Sequence, residues 1–237
     1  MDERERRIVA TAVALAEEGG FEAVRLRDVA SHSGVALGTL YRLFRGKDAL
    51  LVAALATEAE GLAARLGKSP PTGATALERA TDYFAAATRA LCRKPKLARA
   101  VLRAASSDDP ELAGKIRAFH GIASLMLIRA LRGDPAVRLE DATPLEARSC
   151  NVLQMVWFAA MLGWMSGQHK QGEVVEQVRN AAELVLRYRP SARAIRSRIS
   201  RRIAREVAKL SRTKRSPPAP KLRPSESATR ARSRKNW

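Results

Sequence analysis

From residue 4 to residue 188, apolar side chains recur three and four positions apart, and no useful length alternates apolar with polar. The first spacing buries one stripe of a helix and the second would bury one face of a strand, so an all-α chain is expected. In residues 4–18 the stripe is Ile8, Val9, Ala12, Leu15 and Ala16, ended by Gly19-Gly20. Two short helices, 26–32 and 36–43, flank Ser33-Gly34-Val35. Segment 47–66 carries Leu50, Leu51, Ala54, Leu55 and Leu62 on one face. Gly and Pro mark 67–75 as a loop. Helical patterns follow at about 76–93, 95–106 and 110–132, the last with Asp109 as N-cap and Pro110 in its first turn. Gly133-Asp134-Pro135 and Pro144 make 133–144 a loop, and two last helices fall at about 145–167 and 171–188.

The character of the chain changes at Pro190. Residues 190–237 hold 16 basic and 2 acidic residues, +14 of the whole-chain +19, while 1–189 are only +5. Ile195, Ile199, Ile203, Val207 and Leu210 recur among arginines, the pattern of a basic amphipathic helix over about 191–210. From Ser211 the chain is too rich in Ser, Arg, Lys and Pro to bury a core, and disorder is expected. Three uses of this extension stay open: non-specific DNA affinity, an anionic membrane surface or protein partner, and a solubilising extension without further role.

Two cysteines, Cys92 and Cys150, exclude a disulfide scaffold or Cys-rich zinc module. The opening Met1-Asp2-Glu3-Arg4 lacks the layout of a signal peptide, so a cytoplasmic, nucleoid-associated protein is expected. Ser149–His169 is uncharged, but its dense apolar part, 152–165, falls short of the ~20 residues a span needs. A buried or interface helix is expected there, and a membrane partner is not. His32, His120 and His169 belong to no Cys/His zinc pattern, so no metal or cofactor is expected. No phosphate loop or Ser/His/Asp arrangement suggests an enzyme.

The two short helices around Ser33-Gly34-Val35, behind a longer first helix, form a helix-turn-helix candidate. Gly34 suits a turn position with positive φ, and Val29, Ala30, Val35 and Leu40 are small enough for close crossing. The second short helix would enter the DNA major groove, presenting Leu37, Gly38, Thr39, Tyr41 and Arg42. Gly38 permits close approach, Thr39 can meet phosphate or a thymine methyl, and Tyr41 and Lys47 can meet phosphate. Arg25, Arg27 and Arg45 suit phosphate contact better than base reading; for Arg42 both remain open.

The run Gly20-Phe-Glu-Ala-Val-Arg-Leu-Arg-Asp-Val-Ala30, then Gly34-Val-Ala-Leu-Gly-Thr-Leu-Tyr-Arg-Leu-Phe44 and Lys47, resembles the DNA-binding signature of the TetR family of bacterial repressors. The head and parts of the body are similar to its sterol-catabolism, KstR-like branch. The resemblance implies a homodimer that binds a palindromic operator in double-stranded DNA and lets go when a small molecule enters the larger domain. It also implies DNA contacts at Thr39, Tyr41, Lys47, Leu37, Gly38 and Arg42. The chain departs from the pattern at Arg25 and Ala36, which cannot cap a helix as Thr or Ser would, and at Leu43 and Arg45. Residues 1–50 carry 8 basic and 8 acidic residues, so the head alone gains little non-specific attraction.

The expected layout is a helix-turn-helix domain at 1–48, a ligand-binding and dimerisation domain at 49–189, and the basic extension at 190–237. The ligand cavity is expected among Tyr83, Phe84, Leu91, Leu102, Phe119, Ile122, Met126, Trp157, Phe158 and Met161. Few charges fall on these faces, which favours a small hydrophobic effector. Helices 145–167 and 171–188, apolar on two sides, are the expected dimer face.

Overall fold

A computed structural model describes residues 1–107, 109 and 112–187, and among them only helices and their connections occur. The helices are α1 (Glu3–Gly19), α2 (Leu26–His32), α3 (Leu37–Leu43), α4 (Lys47–Lys68), α5 (Ala76–Cys92), α6 (Pro95–Ala105), α7 (Leu112–Arg132), α8 (Pro144–Met165) and α9 (Gln171–Arg187). Single 3-10 turns sit at Phe21–Ala23 and Leu139–Asp141. The expected helix at 191–210, the disorder beyond it, and Pro110 lie outside the described residues.

Local chemistry sets the helix starts. The Asp2 side chain accepts from Glu5 N at 2.7 Å while Glu5 accepts from Asp2 N at 2.9 Å, closing a capping box on α1. Thr75 with Glu78 does the same for α5, and Thr143 with Glu146 for α8, where Pro144 occupies the first turn. Glu146 also receives both Arg132 Nε and Nη2 at 2.8 Å, so one carboxylate caps α8 and ties it to the end of α7. Arg132 and then Thr143 hold the Glu146 carboxyl down at about 2.

Burial divides the side chains into two clusters. The first joins Ile8, Val9, Ala12 and Ala16 of α1 to Val29, Ala30 and Leu40, then to Leu50 and Leu51 of α4 and Leu97, Val101 and Leu102 of α6. The second gathers Leu62, Tyr83, Phe84, Leu127, Ile128, Cys150, Leu153, Val178 and Ala182. α4 feeds both clusters, with its first turns in one and Leu62 in the other. Trp157 of α8 packs against both. The helix-turn-helix therefore shares its core with α4 and α6.

Candidate nucleic-acid interface and cavity

The turn between α2 and α3 is fixed by its backbone. Gly34 has φ of +66°, a left-handed conformation that costs an L side chain. Its N–H donates to Ser31 O at 3.2 Å, and Val35 N–H donates to Ala30 O at 3.0 Å. These two bonds close the last turn of α2 in a Schellman arrangement. The buried Ser33 hydroxyl donates to Val29 O at 2.6 Å, and Arg7 Nε of α1 donates to Ser33 O at 2.9 Å. Leu40 anchors the inner face of α3 and is fully buried.

With its inner face seated, α3 turns Gly38, Tyr41 and Arg42 to solvent, with Leu37 and Thr39 half-buried beside them. A Cβ at Gly38 would meet nothing within 4 Å, so its lack of a side chain answers no need inside the head. Arg25, Arg27 and Arg45 are exposed. Neither Arg25 nor Ala36 makes a side-chain cap bond, in keeping with residue types that cannot accept from the helix start.

Lys47 is half-buried and already engaged. Its Nζ lies 3.2 Å from Glu22 and 3.9 Å from the Phe21 ring centroid. Arg103 of α6 reaches the same pair, 2.9 Å from Glu22 and 3.9 Å from the ring. Phe21 is thus held by two cations, and Lys47 and then Arg103 hold the Glu22 carboxyl below its ordinary range. At the other end of α6, Lys94 lies 2.6 Å from Glu17 and 3.5 Å from Glu58, and Lys96 Nζ donates to Glu18 O at 2.6 Å. α1 has no basic residue in its last turn, so α6 supplies the cations that its negative end favours. Sequence reading missed this junction because its partners stand about 80 positions apart, beyond any helical spacing rule.

An apolar cavity of about 50 Å³ opens between α4, α5, α7 and α8. Tyr83, Phe84 and Leu91 line it from α5, Phe119 and Met126 from α7, and Trp157 and Phe158 from α8. Leu102 and Met161 do not line it: both are buried in the first cluster, where α6 and α8 meet the head side. Ile122 also lies outside the lining, packed against the second cluster. Sequence reading missed nine of the lining residues, the polar Glu58, His120 and Gln154 among them. One signal was present, because Glu58 falls on the stripe that runs from Ala54 and Leu55 to Leu62. Burial pushes the Tyr83 hydroxyl, whose O–H donates to Ala123 O, above its ordinary range. It also pushes the Cys92 thiol up to about 11 and the Cys150 thiol to about 12.

Besides Met1, Tyr41 and Leu139, the exposed large apolar side chains among the described residues stand on α8 and α9. Val152 and Met155 are each 45% exposed, and Leu184 is 73% exposed. Among the described residues no helix is long and apolar enough to cross a membrane, and no three His, Cys, Asp or Glu side chains gather as metal ligands.

Residues 8–54 match the family described as bacterial regulatory proteins, tetR family, and residues 73–185 match the tetracyclin repressor-like C-terminal domain. The chain is 35% identical over 186 residues to the HTH-type transcriptional repressor KstR of Rhodococcus jostii, covering 78% of this chain and 83% of that one. Among solved structures, a TetR transcriptional regulator from Rhodococcus sp. RHA1 superposes with a TM-score of 0.69 at 23% identity, covering 78% of this chain and 96% of that one. Thermus thermophilus FadR, a TetR-family repressor solved with lauroyl-CoA, gives 0.59 at 20% identity, covering 79% of this chain and 98% of that one.

Proposed function

The chain belongs to the TetR family of bacterial regulatory proteins, on its KstR-like branch, and is a DNA-binding regulator rather than an enzyme; we propose how it binds and lets go. The head, residues 1–48, seats α3 in the major groove, with Gly38 at closest approach and Arg42 at a base edge or phosphate. Leu37 and Thr39 border the same face. Tyr41, Arg25, Arg27, Arg45 and Lys47 serve phosphates. The observation that carries this reading is the left-handed Gly34 turn, which holds α3 outward while Leu40 fixes its inner face.

The body, residues 49–189, dimerises through α8 and α9, covering Val152, Met155 and Leu184 with the partner's copies. A two-fold dimer reads a palindrome, and it works in the cytoplasm at the nucleoid. The effector is small and apolar and enters the cavity. At about 50 Å³ the cavity is closed against the roughly 300–1,000 Å³ that ligand sites occupy. Entry therefore requires the four helices to part. α4 starts at Lys47 beside the head and passes the cavity at Leu55, Glu58 and Leu62, so its movement would respace the heads. An effector that prefers the respaced form releases the operator.

The test is to select host genomic fragments with full-length protein at physiological salt and sequence those retained. A palindrome enriched at a few promoters is expected. A flat profile would overturn operator recognition by α3. Titration of the retained site with apolar and with polar metabolites then tests the effector, since release by polar compounds alone rejects an apolar one.

A further inference from the structure

The polar groups on the cavity wall specify what an occupant must carry. We propose that it is an apolar molecule bearing a hydroxyl, which donates a hydrogen bond to Glu58 or His120. This rests on the reading of the cavity as the effector site.

Each donor group on the wall already has a protein partner. Trp157 Nε1–H donates to the buried Thr88 hydroxyl at 2.9 Å, and Tyr83 O–H donates to Ala123 O at 3.3 Å. His120 Nδ1 donates to the side-chain carbonyl of Gln154 at 2.8 Å, and Gln154 Nε2 donates to Ser124 Oγ at 2.8 Å. Gln154 is only 5% exposed, so the middle of this chain of bonds is shielded from water and helps fix the half-buried imidazole. Phe119 adds an edge-to-face contact with centroids 5.4 Å apart. With the proton on Nδ1, a neutral ring leaves Nε2 as an acceptor, and Nε2 meets no partner among the described residues.

Glu58 supplies the other acceptor. Its Oε1 lies 3.5 Å from Lys94, which sits closer to Glu17. A ligand carbonyl or ether oxygen against this wall sets acceptor against acceptor, whereas a hydroxyl completes it. An ammonium would also donate, but it would stand beside the Lys94 cation, so a neutral donor fits better.

The experiment measures binding of decanol, its methyl ether and the matching methyl ketone to full-length protein by calorimetry. Decanol is expected to bind about tenfold more tightly than either analogue, the scale of one unmatched buried polar group. Glu58→Gln and His120→Phe should each shrink that preference toward about twofold, and Met126→Leu, a purely apolar change on the same wall, should leave it. Equal or tighter binding of the ether or ketone overturns the hydroxyl reading while leaving the effector site standing. Ala87→Leu narrows the cavity. If it changes the binding of none of the three, or if none of them binds the parent protein, the cavity is not the site and both readings fall.

Discussion

The turn between α2 and α3 and the wall of the cavity both hold a few groups still, over opposite spans of chain. The turn is settled by a short run, Val29 to Leu40, with one bond from Arg7. The wall draws on four helices from Leu55 to Phe158, and its polar groups are steadied by bonds across 30 or more positions. One is a backbone device and the other a packing device. A backbone device fails at a single residue, whereas packing spreads its failure over neighbours.

That contrast can be tested, starting with the change expected to matter most. Leu40→Ala would remove a fully buried side chain under α3. It should cost about 3 kcal/mol in chemical denaturation and abolish operator binding at concentrations that saturate the parent. Gly34→Ala isolates the backbone device. A Cβ there has open space, so any loss arises from the left-handed φ. About 2 kcal/mol should be lost, with Gly34→Asn losing clearly less; equal losses would break the distinction between the two devices.

Gly38→Ala separates stability from recognition. Ala is the better helix former by about 1 kcal/mol and has room here, so thermal stability should rise. Operator affinity should fall about tenfold if the missing side chain serves DNA. A variant that binds as before would show that Gly38 makes no close approach. On the body side, Glu146→Gln should lower the melting temperature by a few degrees at neutral pH. The folded carboxyl lies at about 2 against an ordinary 4.5, so its stabilisation is complete above the higher value and lost as pH falls through the lower one. The melting difference between parent and variant should therefore be flat above about pH 4.5 and close toward about pH 2.

The same contrast explains what was legible in the sequence. Helical stripes, the glycine at 34 and the spacing around it are local signals, and the nine described helices fall within a few residues of their expected bounds. Tyr83, Phe84 and Trp157 could be placed on a wall because large apolar residues on inward faces must meet somewhere. Leu102 and Met161 look the same in sequence, yet they pack toward the head, because the direction each helix faces is decided by partners far along the chain. Gln154 reads as a blemish in an apolar run and is instead a buried bridge between His120 and Ser124. The ionic junction of α6 had no local trace, since Arg103, Glu22 and Lys47 belong to three different segments.

That junction bears on how salt would govern attachment to DNA. A lysine surrounded by water sheds no ion of its own, but the phosphate it neutralises sheds one, and this release steepens the fall of affinity with salt by about 0.9 per contact in logarithmic terms. Lys47 arrives with a resident anion, Glu22, so engaging a phosphate means exchanging one fixed partner for another. Part of the attraction is cancelled in advance, and Arg103 is left to satisfy Glu22 alone. The head thus carries its own electrolyte at the border with the body, and in the proposed complex the hold of Lys47 on a phosphate is coupled through Glu22 to the position of α6.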